Sequence, residues 1–359
     1  MRPEMPHSQN FIDLFSDTNC DISPGMRQAM ANAKVGNEVA GEDPTVNHLI
    51  ERCCDYFNKE AGVFLISGSQ CNILAYRAWC KSPGMGIIIE HLSQPVLKNP
   101  TIFSGLVHGT PILIEGTDGT FSPTQLKNVI KENQGYNQPQ PAVVSIENPT
   151  NFGGGVIWKE GVLSSVIEVS RDHKLPIHID GARLLTATTV MNSNSFLKNQ
   201  SNADSIYIDF CKCVGAPMGS VLLGSKDFID CIWFHKFQLG AYMHKAGSIA
   251  AACLYGWDYQ LFMMKNVVTQ IRKLATTLAG LPFLEVTPPQ INILYVTLKK
   301  LKISAFQFQK EMLHFNIRLL AVNDKKLRII FHLDVQEYII DRIVESFQKV
   351  GNQYLSEDD

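Results

Sequence analysis

The chain has 359 residues and a formal net charge of −2; 45% of its residues are hydrophobic and 18% are charged. This length favours a large domain plus a smaller one, and the composition is that of an ordinary globular protein. The charge balance gives no electrostatic basis for binding nucleic acid. No apolar run approaches the ~20 residues that span a bilayer, so we expect neither a nucleic-acid nor a membrane partner.

The cysteines and the N-terminal sequence bear on the compartment. The sequence MRPEMPHSQNFIDLF is polar and lacks the apolar core of a secretory signal. Nine cysteines are scattered through the chain. An odd number of cysteines in a chain of this length fits reduced thiols better than a disulfide framework. We therefore expect a cytoplasmic protein.

Strand-like apolar runs alternate with helix-length segments over the first two thirds of the chain. The helix candidates include 70–80, 123–133 and 160–173. Strands separated by helices indicate βαβ units and a mostly parallel central sheet, hence an α/β fold. The strand candidates are, in chain order, GVFLIS (62–67), GIIIEH (86–91), TPILIEG (110–116), PAVVSIEN (141–148), LPIHID (175–180), DSIYIDF (204–210) and GSVLLG (219–224).

The pattern changes near residue 256. A long helical pattern over 257–279 is followed by the strand candidate INILYVTL and a helix around 304–314. The strand candidate KLRIIFHL and a last helix near 335–350 complete the chain. This order predicts a large domain over 1–255, whose N-terminal segment contributes to the active site, and a smaller α+β domain over 256–359.

The predicted strand ends carry polar residues, and ligands bind at the carboxyl ends of strands in an open parallel sheet. ISGSQCN predicts a strand, a tight turn and a helix that starts near Gln70. Free amides at a helix N-terminus favour a phosphate, which Gly68 would let approach and Ser69 would bind. The alternative for this segment is a serine that only caps the helix.

Asp180 and Lys212 stand at two further strand ends. A buried Asp180 needs a positive partner, either a pyridinium nitrogen or the Arg183 side chain. Lys212 lies between two cysteines; it is either a solvated side chain or an amine that forms a Schiff base with an aldehyde. A phosphate cradle, a carboxylate and such a lysine, in this chain order, are together what pyridoxal 5'-phosphate requires.

The spacing of Cys211 and Cys213 also admits a metal site. No second Cys/His pair stands at ligand spacing, although His235 and His244 lie downstream. Two ligands without partners seldom complete a tetrahedral shell, so we expect no metal here.

The sequence resembles the threonine aldolases, in the β-eliminating lyase group of fold-type I pyridoxal-phosphate enzymes. The resemblance covers nearly the whole chain. It is carried by IDLFSDT (12–18), VGNEVAGEDPTVNHLIE (35–51), SGSQCN, ENPTN, PIHIDGARL, KCVGAPMGSVLLGSKDFI and LRIIFHLDV (327–335). It implies the aminotransferase-like fold of type I, with a mostly parallel sheet and a smaller C-terminal α+β domain, in a homodimer or homotetramer.

The resemblance also implies roles for individual residues. Lys212 would be the catalytic Schiff-base lysine, and Asp180 would pair with the pyridine nitrogen. Gly68 and Ser69 would hold the phosphate. The substrate carboxylate would be bound by three residues, Ser16, Arg183 and Arg328. A guanidinium group suits that task because it can bind a carboxylate through two hydrogen bonds.

The sequence departs from the family at several positions. Gln94 stands where the family has a histidine that stacks on the cofactor ring, and Thr150 replaces a second histidine. Ala40 replaces a tyrosine, Cys211 a serine, and His244 lies in the segment that has an arginine in the family. Glutamine and threonine cannot act as the base for a β-hydroxyl, so a bound water, His91 or His244 would have to do so.

We therefore expect an enzyme that cleaves threonine or allo-threonine to glycine and an aldehyde. One alternative keeps the cofactor and changes the reaction to β-elimination, racemisation or cleavage of another aldol substrate. Another is a folded relative without catalysis, because a fold does not guarantee a function.

Overall fold

The computed structural model describes residues 11–356. The chain forms two compact units, one of residues 22–264 and the other of the residues up to 21 together with those from 265 onward. The predicted domains, 1–255 and 256–359, differ from these units in the placement of the N-terminal segment and of residues 256–264. The domain bounds stay a prediction.

The strands fall into three sheets. Most are four to seven residues long, and the shortest have two residues. They are, in chain order, β1 Ile12–Asp13, β2 Ala61–Leu65, β3 Gly86–Glu90, β4 Thr110–Ile114, β5 Pro141–Glu147, β6 Ile177–Gly181, β7 Ser205–Asp209, β8 Ser220–Gly224, β9 Leu284–Thr287, β10 Ile293–Leu298, β11 Ile317–Arg318, β12 Leu320–Ala321 and β13 Lys326–Ile330.

The α-helices alternate with the strands through most of the chain. Short 3-10 segments occur at Asp17–Asn19, Glu38–Ala40 and Leu261–Met263, and a π-helical segment at Phe103–Val107. The α-helices are α1 Pro24–Ala31, α2 Pro44–Phe57, α3 Gly68–Trp79, α4 Gln94–Lys98, α5 Pro123–Glu132, α6 Glu160–Asp172, α7 Leu184–Met191, α8 Asn194–Gln200, α9 Phe210–Cys213, α10 Lys226–Gln238, α11 Gly247–Tyr259, α12 Met264–Leu278, α13 Ala305–His314 and α14 Ile339–Gln353.

The unit of residues 22–264 is built on a seven-stranded sheet of order β2-β8-β7-β6-β5-β3-β4. Only β8 runs antiparallel to its neighbours, and the other pairings are parallel. Every residue of β3, β6, β7 and β8 is buried, which explains why these strands read as continuous apolar runs. The mostly parallel sheet expected from the sequence is confirmed, with strand ends shifted by one or two residues.

The other unit contains an antiparallel sheet of order β12-β13-β10-β9 and the parallel pair β1-β11. The helices α13 and α14 contact each other through Phe308 and Phe347, whose ring centroids are 5.1 Å apart. This is the expected α+β arrangement. The sequence did not reveal β1, β11 and β12, because two-residue strands carry no recognisable alternation.

The helical pattern over 257–279 is not one helix. The helix α11 ends at Tyr259, and α12 begins at Met264 after a 3-10 turn. Gln260 leaves helical geometry, with φ of −121°. Its side chain accepts a hydrogen bond from Ser23 and donates one to the carbonyl of Val214. The apolar periodicity therefore continues through a turn of the backbone.

Asp43, in the GEDPTVN motif, organises the start of α2. It is fully buried, and its carboxylate accepts hydrogen bonds from the amides of Thr45 and Val46. It also accepts from the amides of Gly36 and Gly247. One carboxylate thus caps α2 and fastens two loops to it. Within residues 11–356, no helix is both long and apolar enough to cross a membrane.

Candidate active site

The candidate site lies along one edge of the seven-stranded sheet. The strands β2, β5, β6 and β7 point the same way, so their carboxyl ends meet at this edge. Asp180 is paired with Tyr207 across β6 and β7 and with Glu147 across β5 and β6. Lys212 follows β7, in the short helix α9.

Lys212 is held by Asp209, the last residue of β7. Its Nζ atom lies 2.5 Å from Oδ2 of Asp209, and the Lys212 side chain is 22% exposed. Oδ1 of Asp209 accepts hydrogen bonds from the amides of Cys211 and Lys212, so the same carboxylate caps α9. The lysine amine is therefore accessible and positioned by a buried acidic residue.

Asp180 is a buried carboxylate, 2% exposed. Burial raises its pKa above the ordinary value, and hydrogen bonds from Tyr207 and Asn72 and the charge of Lys212 oppose that rise. Nδ2 of Asn72 donates at 2.8 Å, and the amide of Ala182 donates at 3.1 Å. A carboxylate in this setting is stabilised by any further positive partner.

A chain of hydrogen bonds behind Asp180 fixes the orientation of Asn72. The indole of Trp79 donates to Ser205 at 3.1 Å, and the Ser205 hydroxyl donates to Nδ1 of His178 at 2.9 Å. Nε2 of His178 then donates to Oδ1 of Asn72 at 3.0 Å. Burial lowers the pKa of His178 to about 3, so the ring is neutral and every donor in the chain points toward Asp180.

Gly68 and Ser69 begin α3, two residues earlier than the sequence indicated. Ser67 is the N-cap, and its hydroxyl accepts from the amide of Gln70. The expected tight turn is therefore the first turn of the helix, where the amides of Gly68 and Ser69 have no intrahelical partner. A Cβ atom on Gly68 would lie 2.7 Å from the Tyr207 ring, which explains the glycine. Oγ of Ser69 accepts from Asn99.

Gln94 and Arg183 both act on Glu147, the last residue of β5. The backbone N–H groups of Gln94 and Asn151 donate to its two carboxylate oxygens, at 3.1 and 2.6 Å. Burial, with the charge of Asp180, raises the pKa of Glu147 to about 8, while Arg183 acts to lower it. Arg183 itself is 3% exposed. This side of the site therefore holds an acid that titrates near neutral pH.

Ser16 and Arg328 lie in the other compact unit. Ser16 caps the 3-10 turn that follows it, through its bond to the amide of Thr18. Arg328, on β13, is 6% exposed and donates to the carbonyl of Phe15 at 3.2 Å. The structure thus brings these two predicted carboxylate-binding residues next to each other, and their role in substrate binding stays a prediction.

The sequence model of the beta-eliminating lyase family matches residues 13–300, about four fifths of the chain. The chain belongs to the beta-eliminating lyase family. An uncharacterized protein of Caenorhabditis elegans is 36% identical over 251 residues; these residues are 69% of this chain and 60% of the relative, so the chain spans less than two thirds of that protein. Low-specificity L-threonine aldolase 1 of Arabidopsis thaliana is 28% identical over 344 residues, covering 94% of this chain and 96% of that protein.

A solved structure of a threonine aldolase from Leishmania major has a TM-score of 0.80 to this chain. It is 17% identical, and the match covers 94% of this chain and 99% of the other. This likeness shows the fold, and the expected fold class of the family is confirmed.

The departures from the family pattern take particular forms in the structure. Thr150 is fully buried, and its hydroxyl accepts from the amide of Val156 at 3.0 Å, so it holds a turn. His91 follows β3 and lies 2.7 Å from the Glu90 carboxylate. His244 is exposed and contacts Tyr242 edge to face.

Four contributors to the site were not assigned from the sequence: Asn72, Glu147, Tyr207 and Asp209. Glu147 stood at a predicted strand end, which was its only signal. Asp209 lies three residues before Lys212, the spacing of neighbours on a helix, but it was placed inside a strand. Asn72 and Tyr207 reach Asp180 from another helix and strand, so no local pattern reveals them.

Proposed function

We propose that this protein is a pyridoxal-phosphate-dependent lyase of the threonine aldolase type, which cleaves a β-hydroxy-α-amino acid to glycine and an aldehyde. The observation that carries the proposal is the placement of Lys212 and Asp180 at the ends of adjacent strands. An accessible amine and a buried carboxylate then face the same edge of the sheet, in a chain of the beta-eliminating lyase family.

The residues at this edge fit pyridoxal phosphate. The first turn of α3 offers the amides of Gly68 and Ser69 to a phosphate, and no side chain at Gly68 stands in the way. Burial raises the pKa of Asp180, so a protonated ring nitrogen would stabilise the carboxylate. Lys212 would be the covalent attachment point, held by Asp209. Gln94 would lie against the ring, at the position where the resemblance has a histidine.

The reaction requires that the Cα–Cβ bond break, that the β-hydroxyl lose its proton to a base, and that Cα receive a proton. The chemistry that the cofactor supplies is an electron sink for the pair released from that bond. Arg183 would bind the substrate carboxylate and hold the scissile bond in place. Asp180 would keep the ring nitrogen charged, and Lys212 would return the proton to Cα.

The group that accepts the β-hydroxyl proton is neither Gln94 nor Thr150. Gln94 does not titrate, and the Thr150 hydroxyl holds a turn. Glu147 bonds to the amide of Gln94 and has a pKa raised to about 8, so it can exchange a proton near neutral pH, through a bound water. The absence of a titratable side chain at Gln94 and Thr150 favours a second candidate function, the same cofactor with β-elimination, racemisation or another aldol substrate.

Product analysis separates the two functions. The cofactor-loaded protein is given L-threonine, L-allo-threonine and L-serine in turn. Equal amounts of glycine and aldehyde from the first two support the aldolase function. Pyruvate and ammonia from serine, without glycine from threonine, support elimination. The variant Gln94→His would add a titratable ring and is expected to raise aldol cleavage relative to elimination.

We also propose a homodimer or homotetramer in the cytoplasm. Phe234 and Phe237 on α10 are 62% and 47% exposed, and Phe237 stacks on the exposed Tyr242. Exposed aromatic side chains in one patch are typical of an interface. Cys53 and Cys71 are buried thiols, as expected in a reducing compartment. Light scattering on the purified protein gives the assembly size directly, and a monomer at working concentration would contradict the assembly.

A further inference from the structure

Cys20, His332 and Asp334 place a thiol, an imidazole and a carboxylate close together in the unit that contains the C-terminal part of the chain. One ligand atom from each lies within 4.8 Å of the other two. Cys20 follows the 3-10 turn Asp17–Asn19, and the other two residues follow β13. Cys20 lies more than 300 positions before His332 and Asp334 in sequence, so no spacing motif could have indicated the cluster.

The hydrogen bonding of His332 determines which ring nitrogen faces the cluster. Its Nε2 atom lies 2.8 Å from the carbonyl oxygen of Asp13, which can only accept, so Nε2 carries the proton. In the neutral ring, Nδ1 then presents a lone pair. His332 is 5% exposed, and Nδ1 has no hydrogen-bond partner among residues 11–356.

The lone pair of Nδ1 faces an oxygen atom of Asp334. The distance from Nδ1 to Oδ2 is 3.6 Å, too long for a hydrogen bond. The same oxygen accepts from the amide of Asp21 at 2.7 Å, which fixes the carboxylate in place. A cation bound between these two acceptor atoms would satisfy both of them.

We propose that Cys20, His332 and Asp334 bind one divalent metal ion of the zinc type. Sulfur, nitrogen and oxygen ligands in one site favour Zn²⁺, at about 2.3 Å from sulfur and about 2.0–2.2 Å from the other two. The 3.6 Å separation of the His332 and Asp334 atoms is close to the edge of such a tetrahedron. The bond from His332 to Asp13 is the outer support that metal-binding histidines commonly have.

Two residues of the cluster, His332 and Asp334, line a cavity of about 390 Å³. Its other charged and polar lining residues include Asp13, Asn19, Asp21 and Arg342. The cavity provides the entry path that a metal site requires and space for a water molecule at the fourth coordination position.

The bound ion would fasten two segments that carry predicted substrate-binding residues. Ser16 lies four residues before Cys20, and Arg328 lies four residues before His332. The ion would therefore join the N-terminal segment to the end of β13, beside the bond from Arg328 to Phe15. This inference does not depend on the reaction that the enzyme catalyses.

The test is a Co²⁺ titration of the full-length, cofactor-loaded protein after removal of metal with a chelator. We expect one Co²⁺ per chain, a charge-transfer band from the Cys20 thiolate, intense visible bands of a tetrahedral ion, and displacement by Zn²⁺. Cys20→Ser should remove the charge-transfer band, and Asp334→Asn should weaken binding at least ~10-fold. Cys54→Ser, at another half-buried cysteine, should change neither.

Two results would overturn the proposal. One is the absence of saturable Co²⁺ uptake by the wild-type protein, which would leave His332 and Asp334 as neighbours without a metal. The other is uptake whose charge-transfer band is unchanged in Cys20→Ser. Circular dichroism of each variant confirms that it is folded, and the wild-type titration decides the question even if a variant does not fold.

Discussion

Gly68→Ala tests the packing of the first turn of α3, the proposed phosphate-binding turn, on Tyr207. The new Cβ would lie 2.7 Å from Cε2 and 2.8 Å from the hydroxyl oxygen of Tyr207. Tyr207 is 3% exposed, so its ring has little room to move. Overpacking of this kind costs about 1–3 kcal/mol, and replacing a helical glycine by alanine returns about 0.5–1 kcal/mol. We expect a net loss of up to about 2.5 kcal/mol in the free energy of unfolding.

The same substitution should weaken cofactor binding. A displaced Tyr207 ring disturbs its hydrogen bond to Asp180, and bonds to charged groups contribute about 1.5–3 kcal/mol. We therefore expect the dissociation constant for pyridoxal phosphate to rise at least ~10-fold. Urea unfolding and a titration followed by the visible absorbance of bound cofactor measure the two effects.

Gly161→Ala is the matched control for this prediction. Gly161 also lies in the first turn of a helix, α6, and a Cβ there would meet nothing within 4 Å. Its substitution should be neutral or stabilising by up to about 1 kcal/mol, without effect on cofactor binding. If Gly68→Ala and Gly161→Ala unfold at the same urea concentration and bind the cofactor equally well, the assigned role of Gly68 is wrong.

Three further predictions concern buried polar groups. Asp180→Asn should lower kcat about 100-fold or more, because an amide cannot balance the charge of the ring nitrogen. An unchanged kcat in steady-state kinetics of the folded variant would contradict this role of Asp180. Asp43→Ala should destabilise the protein by about 2–4 kcal/mol, since it removes a helix cap and leaves two loop amides unbonded. The control Ser225→Ala removes a cap that bonds a single amide and should cost about 1 kcal/mol. Equal losses of stability in urea unfolding would contradict this prediction. The pKa of His178 is lowered to about 3 in the folded state, so its contribution to the free energy of unfolding is complete above pH ~6.5 and is lost as the pH falls toward 3. The wild-type protein should therefore lose about 2 kcal/mol of stability between pH 7 and pH 5, a loss that His178→Gln lacks. An identical pH dependence of unfolding in both proteins would refute this prediction.

The sequence indicated the seven strands of the large sheet because their residues are apolar on both faces and are separated by helix-length segments. It also placed Asp180 and Lys212 at strand ends; Asp180 lies near the end of β6, whereas Lys212 lies in the short helix α9 that follows β7. The helix boundary at Gly68 was wrong by two residues, because a serine, a glycine and a second serine in succession allow more than one capping arrangement. The helix expected over 257–279 was wrong because the side chain of Gln260 bonds outside the helix.

The electrostatic partners of the site could not be predicted from local pattern. Asn72 donates its hydrogen bond to Asp180 only once α3 packs against the sheet. Glu147 accepts from the backbone N–H of Gln94 only because β3 and β5 are paired. The pKa values of Glu147 and His178 depend on burial by elements distant in sequence. A local pattern therefore identifies candidate chemical groups, and the tertiary contacts determine their charge and orientation.

The central claim is that Lys212 carries a lyase reaction of the threonine aldolase type. Protein saturated with pyridoxal phosphate is incubated with L-threonine and with L-allo-threonine, and glycine and acetaldehyde are quantified. Lys212→Ala is compared with Lys226→Ala, an exposed lysine on α10 whose side chain is 68% accessible. We predict equimolar glycine and acetaldehyde from the wild type and from Lys226→Ala, and neither product from Lys212→Ala. Product formation that survives in Lys212→Ala, or its absence from the cofactor-loaded wild type, would contradict the account.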